Sequence, residues 1–273
     1  MQKIALITGA TAGIGEAVAL TFAENGINVI ITGRREERLS ALKSKLETKN
    51  VQVLALCFDV RNEAQVKNAL ENLSDEWKNI DILINNAGLA AGLSTLQEGD
   101  IDDWNRMIDT NIKGLLYVTR HVSPGMIERK RGHIINIGSI AGKEVYPYGN
   151  VYCSTKYAVN ALTKGMRIDM LPHNIRVTQI CPGAVETEFS IVRFGGDKAR
   201  ADKVYEGFEA LVAADVADCV WFAASRPEHV NISDLVVMPS AQAMVTMIRR
   251  EEAVQKVFLN TNCTNDTIEN QRS

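Results

Sequence analysis

Short apolar segments rich in β-forming residues alternate with longer segments that have helical patterns along most of the chain. The first of them, KIALIT, is continuously apolar, which is typical of a strand that is covered on both faces of a parallel sheet. Parallel strands need a crossover between them, usually a helix. The predicted strands are 3–8, 27–32, 51–57, 80–85, 132–138, 174–180 and 234–238.

The segments between these strands have the apolar spacing of amphipathic helices. Gly26 is a suitable C-terminal stop for the first helix. Asp100 or Asp102 is a suitable N-terminal cap for the helix that follows the loop 88–100. Residues 183–210 are expected to be irregular with short helical pieces. The predicted helices are 14–25, 35–48, 62–78, 101–122, 150–170 and 213–225.

This order of elements predicts an α/β protein with a Rossmann-type, doubly wound parallel sheet of about seven strands and helices on both faces. No linker rich in Pro, Gly or Ser interrupts the pattern, so we expect a single domain over residues 1–250. The segment 251–273 is polar and has no repeat, and we expect a mobile tail.

Composition and charge exclude several classes of protein. Hydrophobic residues make up 46% and charged residues 23% of the 273 residues, and the net charge is −3. Basic residues form no block, so neither a nucleic acid nor a membrane is expected as a partner. No signal peptide or membrane span is expected. The five cysteines are scattered, which favours reduced thiols, a cytoplasmic location and no metal site.

The first chemical signal is TGATAGIG, which joins the first predicted strand to the first helix. Gly9, Gly13 and Gly15 would let the backbone turn tightly and approach a pyrophosphate, because the helix N-terminus offers unpaired N–H groups and a positive dipole end. The alternative is a glycine-rich turn without a ligand. A P-loop is excluded because no Lys-Ser or Lys-Thr pair follows.

The ends of the second and third strands bear on the choice of cofactor. An NAD-binding fold usually places a carboxylate after the second strand, but here Gly33 is followed by Arg34 and Arg35. A guanidinium pairs well with a 2′-phosphate, so the sequence favours NADP, with two solvated arginines as the alternative. Asp59 would accept from the adenine amino group, with Val60 beside it, or would cap the next helix, or both.

The second signal is NVYCSTKY, in which Tyr152 and Lys156 share one helix face. An ammonium near a phenol lowers the pKa of the phenol, and an oxidised nicotinamide would act in the same direction. Such a tyrosine is suited to proton exchange with an alcohol or carbonyl oxygen. The spacing alone also occurs by chance in amphipathic helices. Tyr148 and Tyr157 lack such a lysine and are expected to be packing or pocket-wall residues.

Further motifs follow the strands at the same carboxyl edge, where such folds bind ligands. Ser139 ends the fifth strand in INIGS, and its hydroxyl would orient a substrate oxygen. NNAG follows the fourth strand, and CPG and TEF follow the sixth, near where a nicotinamide carboxamide would lie. Asn111 lies inside a predicted helix, where asparagine is unfavourable.

Together these motifs resemble the classical short-chain dehydrogenases/reductases over about residues 3–250. The resemblance implies a catalytic tetrad in which Tyr152 is the acid/base and Ser139 orients the substrate oxygen. It implies that Lys156 tunes the tyrosine and binds ribose, and that Asn111 holds a relay water. It also implies NADP contacts at Gly9, Thr11, Gly13, Ile14, Gly15, Arg34, Arg35, Asp59, Val60, Asn86, Ala87, Gly88, Tyr152, Lys156, Pro182, Gly183, Val185 and Thr187.

The stretches TGRREERL, DWNRMIDTNIKGL, GHIINIGSIAG and TEFSIVRFGGD resemble the NADP-dependent 3-hydroxy acid dehydrogenases. This implies oxidation of the 3-hydroxyl of small acids such as L-serine, L-allo-threonine and 3-hydroxypropionate, or reduction of the matching semialdehyde or 3-keto acid. It also implies a homotetramer. The alternatives are a reductase for another small carbonyl substrate, and an NADP-binding sensor without turnover, which the complete tetrad argues against.

A hydroxy acid needs a partner for its carboxylate. Arg193 is the candidate because arginine binds carboxylates in a bidentate manner, and a surface arginine on a mobile lid is the alternative. Ser139 is the candidate for the substrate hydroxyl. No general base stands at a recognisable spacing from Cys181 in the sequence. Cys181 is therefore expected to be a small apolar residue at a strand end.

Overall fold

Within residues 2–251, which the computed structural model describes, seven parallel strands form the central sheet. The strands run in the order β3-β2-β1-β4-β5-β6-β9, with all seven strand predictions confirmed to within a few residues. Two further short strands, β7 and β8, pair with each other outside this sheet. The strands are β1 (Ile4–Ile7), β2 (Asn28–Gly33), β3 (Val53–Cys57), β4 (Ile82–Asn85), β5 (Gly132–Ile137), β6 (Ile175–Pro182), β7 (Val185–Glu186), β8 (Leu211–Val212) and β9 (Asp234–Val237).

The described helices follow the strands in alternation, as a doubly wound sheet requires. Two of them, α7 and α8, are the short helical pieces expected between residues 183 and 210. The helices are α1 (Gly13–Glu24), α2 (Glu36–Glu47), α3 (Glu63–Glu71), α4 (Ile101–Ile108), α5 (Leu115–Arg129), α6 (Asn150–Met170), α7 (Glu188–Arg193), α8 (Lys198–Asp202) and α9 (Ala213–Ala224).

The central strands of the sheet are buried on both faces, which explains why most of their residues are apolar. In β1, Ala5 and Ile7 pack with α1, α2 and α9, whereas Ile4 and Leu6 pack with α3, α5 and α6. Consecutive side chains of a strand point to opposite faces. A strand that is covered on both faces therefore needs apolar residues at most of its positions. No helix within residues 2–251 is long and apolar enough to cross a membrane.

Two helix predictions differ from the structure. The helix predicted at 62–78 ends at Glu71, because the backbone leaves the helical conformation at Asn72 and then turns so that Leu73 and Trp77 become buried. The helix predicted at 101–122 consists of α4, a π-helical turn over 109–114, and α5, which continues to Arg129. The predicted tail 251–273 lies outside the described residues except for its first residue.

The sequence offers two aspartates, Asp100 and Asp102, as the N-terminal cap of α4. The side chain of Asp100 accepts hydrogen bonds from the main-chain N–H groups of Asp102 and Asp103, at 2.8 and 3.0 Å. Asp100 is therefore the cap, because it satisfies two N–H groups that the helix leaves without an intrahelical partner.

Gly15, in the first turn of α1, has no room for a side chain. A Cβ at this position would overlap the carbonyl oxygen of Gly9 and the Nδ2 atom of Asn86. Gly165, in the middle of α6, offers a contrast, since a Cβ there would meet nothing within 4 Å. The first glycine is required by packing and the second is not.

We therefore predict opposite effects for the same substitution at these two glycines. Gly15→Ala should lower the free energy of unfolding by roughly 1–3 kcal/mol, because the backbone of the turn must shift. Gly165→Ala should raise it by about 0.5–1 kcal/mol, because alanine loses less conformational entropy in a helix. Urea unfolding followed by tryptophan fluorescence measures both, and a Gly15→Ala variant as stable as the parent protein would contradict the packing.

Candidate active site

A cavity of about 490 Å³ opens at the carboxyl end of the sheet, large enough for a small-molecule ligand. It lies where the strand order reverses between β1 and β4, which is the position at which doubly wound sheets bind ligands. The glycine turn before α1 forms one wall, the ends of β2 and β3 form the mouth, and α7 lies on the opposite side.

The glycine turn has a backbone that glycine alone adopts readily. Gly9 and Gly13 have φ angles of 66° and 55°, in the left-handed region. The cap residue Ala12 has no side-chain acceptor, so the first N–H groups of α1 are available to an anion. Thr11 and Ile14 line the cavity with these glycines, whereas Gly15 does not and instead serves the packing described above.

Both predicted arginines lie at the mouth of the cavity and are exposed. Arg35 donates to the Thr11 hydroxyl at 3.0 Å and pairs with Glu188 at 3.3 Å. Arg38, on the next turn of α2, also pairs with Glu188, at 2.8 Å. Hydrogen bonds from Arg38 and Arg35 lower the pKa of Glu188, although burial acts against them. Sequence reasoning missed Arg38 and Glu188, because their contact joins residues far apart in the chain.

Asp59 and Val60 line the cavity beside Arg34. Burial opposes the ionisation of Asp59, but hydrogen bonds from Arg61 outweigh it and hold the pKa of Asp59 below its usual value. The alternative in which Asp59 caps α3 is wrong, because the side chain of Asn62 accepts from the main-chain N–H group of Gln65 at 3.1 Å. The adenine contact of Asp59 stays a prediction.

The turn after β4 supports the cavity floor. The Nδ2 atom of Asn86 donates to the carbonyl oxygens of Thr8 and Gly9, at 2.9 and 3.1 Å. The hydroxyl of Thr8 accepts in return from the N–H groups of Asn86 and Ala87, both at 3.0 Å. These bonds join the two turns directly, and Asn86, Ala87 and Gly88 all line the cavity.

Ser139, Tyr152 and Lys156 meet at the inner end of the cavity. Tyr152 and Lys156 are both buried on the same face of α6. The Lys156 Nζ atom lies 6.0 Å from the centre of the Tyr152 ring and donates to the carbonyl oxygen of Ile137 at 3.0 Å. The Ser139 hydroxyl accepts from the N–H group of Ala141 at 3.1 Å. The end of β5 and the first turns of α6 thus bring three of the four predicted tetrad residues together.

Burial is the largest influence on the pKa values of Tyr152 and Lys156. It raises the pKa of Tyr152, with a contribution from nearby Tyr146, and a hydrogen bond with Ser139 offsets the effect only in part. Burial also lowers the pKa of Lys156 to about 8. The expected lowering of the Tyr152 pKa is therefore wrong for the chain by itself, because the same burial that raises the pKa of the phenol disfavours the charged form of the lysine.

Asn111 lies behind the cavity and not in its wall. Its Nδ2 atom donates to the carbonyl oxygen of Leu89 and to the hydroxyl of Thr155, and its Oδ1 atom accepts from the N–H group of Leu89, all at 2.9 Å. It sits in the π-helical turn, a feature that is frequent at functional sites. Its side chain clamps the loop after β4 to α6, and its relay-water role stays a prediction.

The segment after β6 forms the side of the cavity opposite the glycine turn. Pro182, Gly183, Val185 and Thr187 all line the cavity. The hydroxyl of Thr187 caps α7, and its Cβ packs close against Gly13. Cys181 is fully buried, and burial raises the pKa of its thiol to about 12, so it is a packing residue, as expected.

Arg193, at the end of α7, is half-buried and faces the cavity. Its guanidinium carbon lies 5.7 Å from the centre of the Tyr152 ring and 5.4 Å from that of Tyr146. It donates to the Tyr146 hydroxyl at 2.6 Å. No carboxylate within residues 2–251 forms an ion pair with it. Arg193 is therefore a cavity residue and not a surface arginine.

Tyr146 is a cavity tyrosine that sequence reasoning missed. It precedes α6 in an irregular segment, where no periodicity indicates which side chains point inward. Tyr148 and Tyr157, which were expected to pack or to line a pocket, are 59% and 40% exposed, so that expectation is wrong. The backbone of Tyr148 has a φ of 63°, and the chain turns outward there. The Tyr157 hydroxyl only donates to the carbonyl oxygen of Lys143.

Residues 3–194 match the model of the short chain dehydrogenase family, which amounts to more than half of the chain. The chain belongs to the short-chain dehydrogenase family. The strand order, the glycine turn and the Ser-Tyr-Lys group at the end of the sheet are thus features of a dehydrogenase acting on CH–OH groups.

Individual members of the family are similar over nearly the full length of this dehydrogenase. An NADP-dependent 3-hydroxy acid dehydrogenase of Salmonella typhi is 51% identical over 241 residues, 88% of this chain and 96% of the relative. Sulfoacetaldehyde reductase 2 of Chromohalobacter salexigens is 45% identical over 244 residues, 89% of this chain and 96% of the relative. The closed form of a serine dehydrogenase complexed with NADP⁺ has a TM-score of 0.85 at 48% identity, covering 91% of this chain and 100% of that one.

We predict that the buried lysine makes the stability of this dehydrogenase depend on pH. The pKa of Lys156 is about 8 in the folded chain against a usual value of 10.5. Below pH 8 the lysine is charged in both the folded and the unfolded states, and its burial destabilises the fold. Between these two values the unfolded state binds more protons, so stability rises with pH, by up to about 3 kcal/mol.

The comparison with Lys156→Met isolates this effect, because other titrating groups act equally in both proteins. The free energy of unfolding of the parent protein minus that of the variant should increase between about pH 7 and about pH 10.5. Urea unfolding at three pH values in this window measures the difference. A difference that stays constant across the window would show that the lysine is not desolvated.

Proposed function

We propose that this dehydrogenase uses NADP to oxidise the 3-hydroxyl of small hydroxy acids or hydroxy amino acids, or to reduce the matching semialdehyde or 3-keto acid. The observation that carries the proposal is Arg193, a cation that faces the cavity beside Tyr152 and has no acidic partner among the described residues. A half-buried cation without a counter-ion, placed in a cavity wall, indicates an anionic ligand. Candidate substrates are L-serine, L-allo-threonine and 3-hydroxypropionate.

The relatives support a small substrate with an acidic group. A 3-hydroxy acid and serine carry a carboxylate, and sulfoacetaldehyde carries a sulfonate. Arginine binds either group through parallel N–H donors. The reductase among the relatives favours a second candidate function, the reduction of another small carbonyl compound that also bears an anionic group. A sensor without turnover has no such support, because Asn111, Ser139, Tyr152 and Lys156 are all present.

The residues around the cavity fit NADP. The N–H groups at the start of α1 and the left-handed glycines suit a pyrophosphate, and Arg34 and Arg35 suit a 2′-phosphate. Asp59, Val60, Asn86, Ala87 and Gly88 would hold the adenosine and ribose portions. Pro182, Gly183, Val185 and Thr187 would hold the nicotinamide end. When bound, NADP⁺ supplies the hydride acceptor.

In the oxidative direction, the substrate anion would bind Arg193, and its hydroxyl would lie between Ser139 and Tyr152. Tyr152, as phenolate, accepts the hydroxyl proton while the carbon of the same C–OH group loses a hydride, and a carbonyl forms. Burial keeps the phenol protonated in the chain alone. The positive charges of Lys156, Arg193 and the oxidised nicotinamide ring would favour the phenolate when the site is filled. Tyr152 would therefore be ready to accept a proton when cofactor and substrate are both bound.

We also propose that the chain forms a homotetramer in the cytoplasm. Large apolar side chains are exposed on α4, α5, α6 and the turn that follows α6, as interfaces between copies would require. Cys57, Cys153, Cys181 and Cys219 are free thiols, which suits a reducing compartment. The exposed apolar residues of these helices are Ile101, Ile108, Leu116, Ile168 and Leu171.

Replacing Arg35 tests the choice of cofactor. Arg35→Gln should weaken the binding of NADPH roughly tenfold to a hundredfold, because one charge-assisted hydrogen bond to the 2′-phosphate is lost. The affinity for NADH should change little, because NADH has no 2′-phosphate for Arg35 to contact. Fluorescence titration of both cofactors measures the effect. The matched control is Lys43→Gln, a cation of α2 outside the cavity wall, and an equal loss for NADPH and NADH would contradict the assignment.

The proposed reaction is tested by NADP⁺ reduction with the three candidate substrates, followed by absorbance, against an NAD⁺ control. Turnover with NADP⁺ is expected for at least one of them. Tyr152→Phe should lower kcat roughly a hundredfold to ten-thousandfold, because it removes the acid/base group, and should leave NADPH binding unchanged. Tyr157→Phe is the control, since this tyrosine lies outside the cavity wall.

Near-normal turnover by Tyr152→Phe would reject Tyr152 as the acid/base. No turnover of the three acids by the parent protein, together with tight NADPH binding, would reject the hydroxy acid class. The same assay with NADPH and small anionic aldehydes, sulfoacetaldehyde among them, then tests the second candidate function.

A further inference from the structure

We infer that Tyr146 is a specificity-determining residue. Its hydroxyl forms, together with the guanidinium of Arg193, a two-donor subsite for the anionic group of the substrate. The inference rests on the proposed function in that the anion belongs to the molecule whose hydroxyl or carbonyl faces Tyr152. It adds a second donor to the subsite and a preference for a short distance between the anionic group and the reacting carbon.

The hydroxyl of Tyr146 lies in the cavity wall and keeps a hydrogen to donate. Its oxygen accepts a hydrogen bond from Nη2 of Arg193 at 2.6 Å. Its hydrogen has no acceptor within residues 2–251. Burial raises the pKa of Tyr146, so the hydroxyl keeps its proton near neutral pH. A tyrosine hydroxyl both donates and accepts, and here only the accepting side is used by the protein.

Arg193 also keeps donors for a ligand. A guanidinium has five N–H donors. Two are used among the described residues, by Nε to the carbonyl oxygen of Gly92 and by Nη2 to Tyr146, so three remain. The remaining donors of Arg193 and the hydroxyl hydrogen of Tyr146 lie close together, because the two side chains are hydrogen-bonded to each other. A carboxylate or sulfonate can therefore accept from both residues at once through two of its oxygens.

Both residues are held in place by the surrounding backbone. The Tyr146 ring packs so closely on Gly149 that a Cβ there would overlap the ring. The N–H group of Gly92 donates to the carbonyl oxygen of Arg193 at 3.0 Å, while the Arg193 side chain donates back to Gly92. These contacts fix the end of α7 against the loop after β4. A subsite fixed in advance loses little conformational entropy when it binds a ligand.

The position of the subsite limits the length of the substrate. The guanidinium carbon of Arg193 lies only 5.7 Å from the centre of the Tyr152 ring. Phe189 also lines the cavity here, with its ring centre 5.7 Å from that of Tyr152. Only a short spacer fits between an anion held by Arg193 and Tyr146 and a hydroxyl held by Tyr152. Small acids with the hydroxyl close to the anionic group meet this condition.

The substitution Tyr146→Phe tests the subsite, since it removes the hydroxyl and keeps the ring on Gly149. The KM for 3-hydroxypropionate should rise about tenfold, whereas kcat should stay within about twofold, because a donor to the anion contributes to binding and not to the chemical step. The inhibition constant of propionate, which has the anion but no hydroxyl, should rise by the same factor. The inhibition constant of propionamide, which has no charge, should stay unchanged, as should the affinity for NADPH.

Two further variants complete the experiment. Tyr157→Phe controls for loss of a tyrosine hydroxyl outside the cavity wall and should leave every constant unchanged. Arg193→Lys keeps the charge but loses the parallel donors, and it should raise the KM and the inhibition constant of propionate. Native values for Tyr146→Phe combined with weakened binding by Arg193→Lys would overturn the inference, because Arg193 would then act alone.

This outcome is distinct from failure of the proposed function. If the parent protein oxidises none of the acids, the proposed function fails, and the subsite is measured by the binding of propionate to the complex with NADPH. Propionate binding that is weakened by Tyr146→Phe supports the subsite, and binding that is unaffected by it, or absent from the parent protein, rejects it.

Discussion

The direct hydrogen bonding between two turns, one after β1 and one after β4, is the contact on which the rest of the site depends. The Asn86 side chain donates to two carbonyl oxygens of the glycine turn, and the Thr8 hydroxyl accepts from the turn after β4. The approach is so close that Gly15 cannot carry a side chain. This contact sets the start of α1 at the point where the strand order reverses, and its N–H groups therefore face the cavity.

The side of the cavity opposite the glycine turn is formed by the chain after β6. Within this segment, α7 runs from the cofactor mouth to the substrate end of the cavity. Thr187 packs against Gly13, and Glu188 pairs with Arg35 and Arg38 at the cofactor mouth. Arg193, at the other end of α7, faces Tyr152. The side chains expected to meet the phosphates and those expected to meet the substrate are thus joined by one short helix.

The sequence is informative wherever a residue follows directly from a strand. A strand that is buried on both faces is mostly apolar, so its end can be located in the sequence, and Ser139 and Asn86 lie just beyond such ends. Contacts between irregular segments leave no such signal. Tyr146 and Arg193 are 47 residues apart, and Arg38 and Glu188 are 150 apart, without any periodic pattern to relate them. The direction of the pKa change at Tyr152 was also hidden, because it depends on how deeply the helix buries the phenol.

The shortness of α7 has a consequence for how substrate range can change among proteins of this design. The helix has six residues and is about 9 Å long. One inserted or deleted residue would rotate Arg193 by about 100° about the helix axis relative to Thr187, and would carry it away from Tyr146. Changes of length in this helix would therefore disturb the binding of the cofactor and the binding of the substrate at the same time. New specificities should arise by replacement of side chains on α7, or by changes of length in the segment that follows Arg193, and grafting of substrate loops between such enzymes should keep the helix intact.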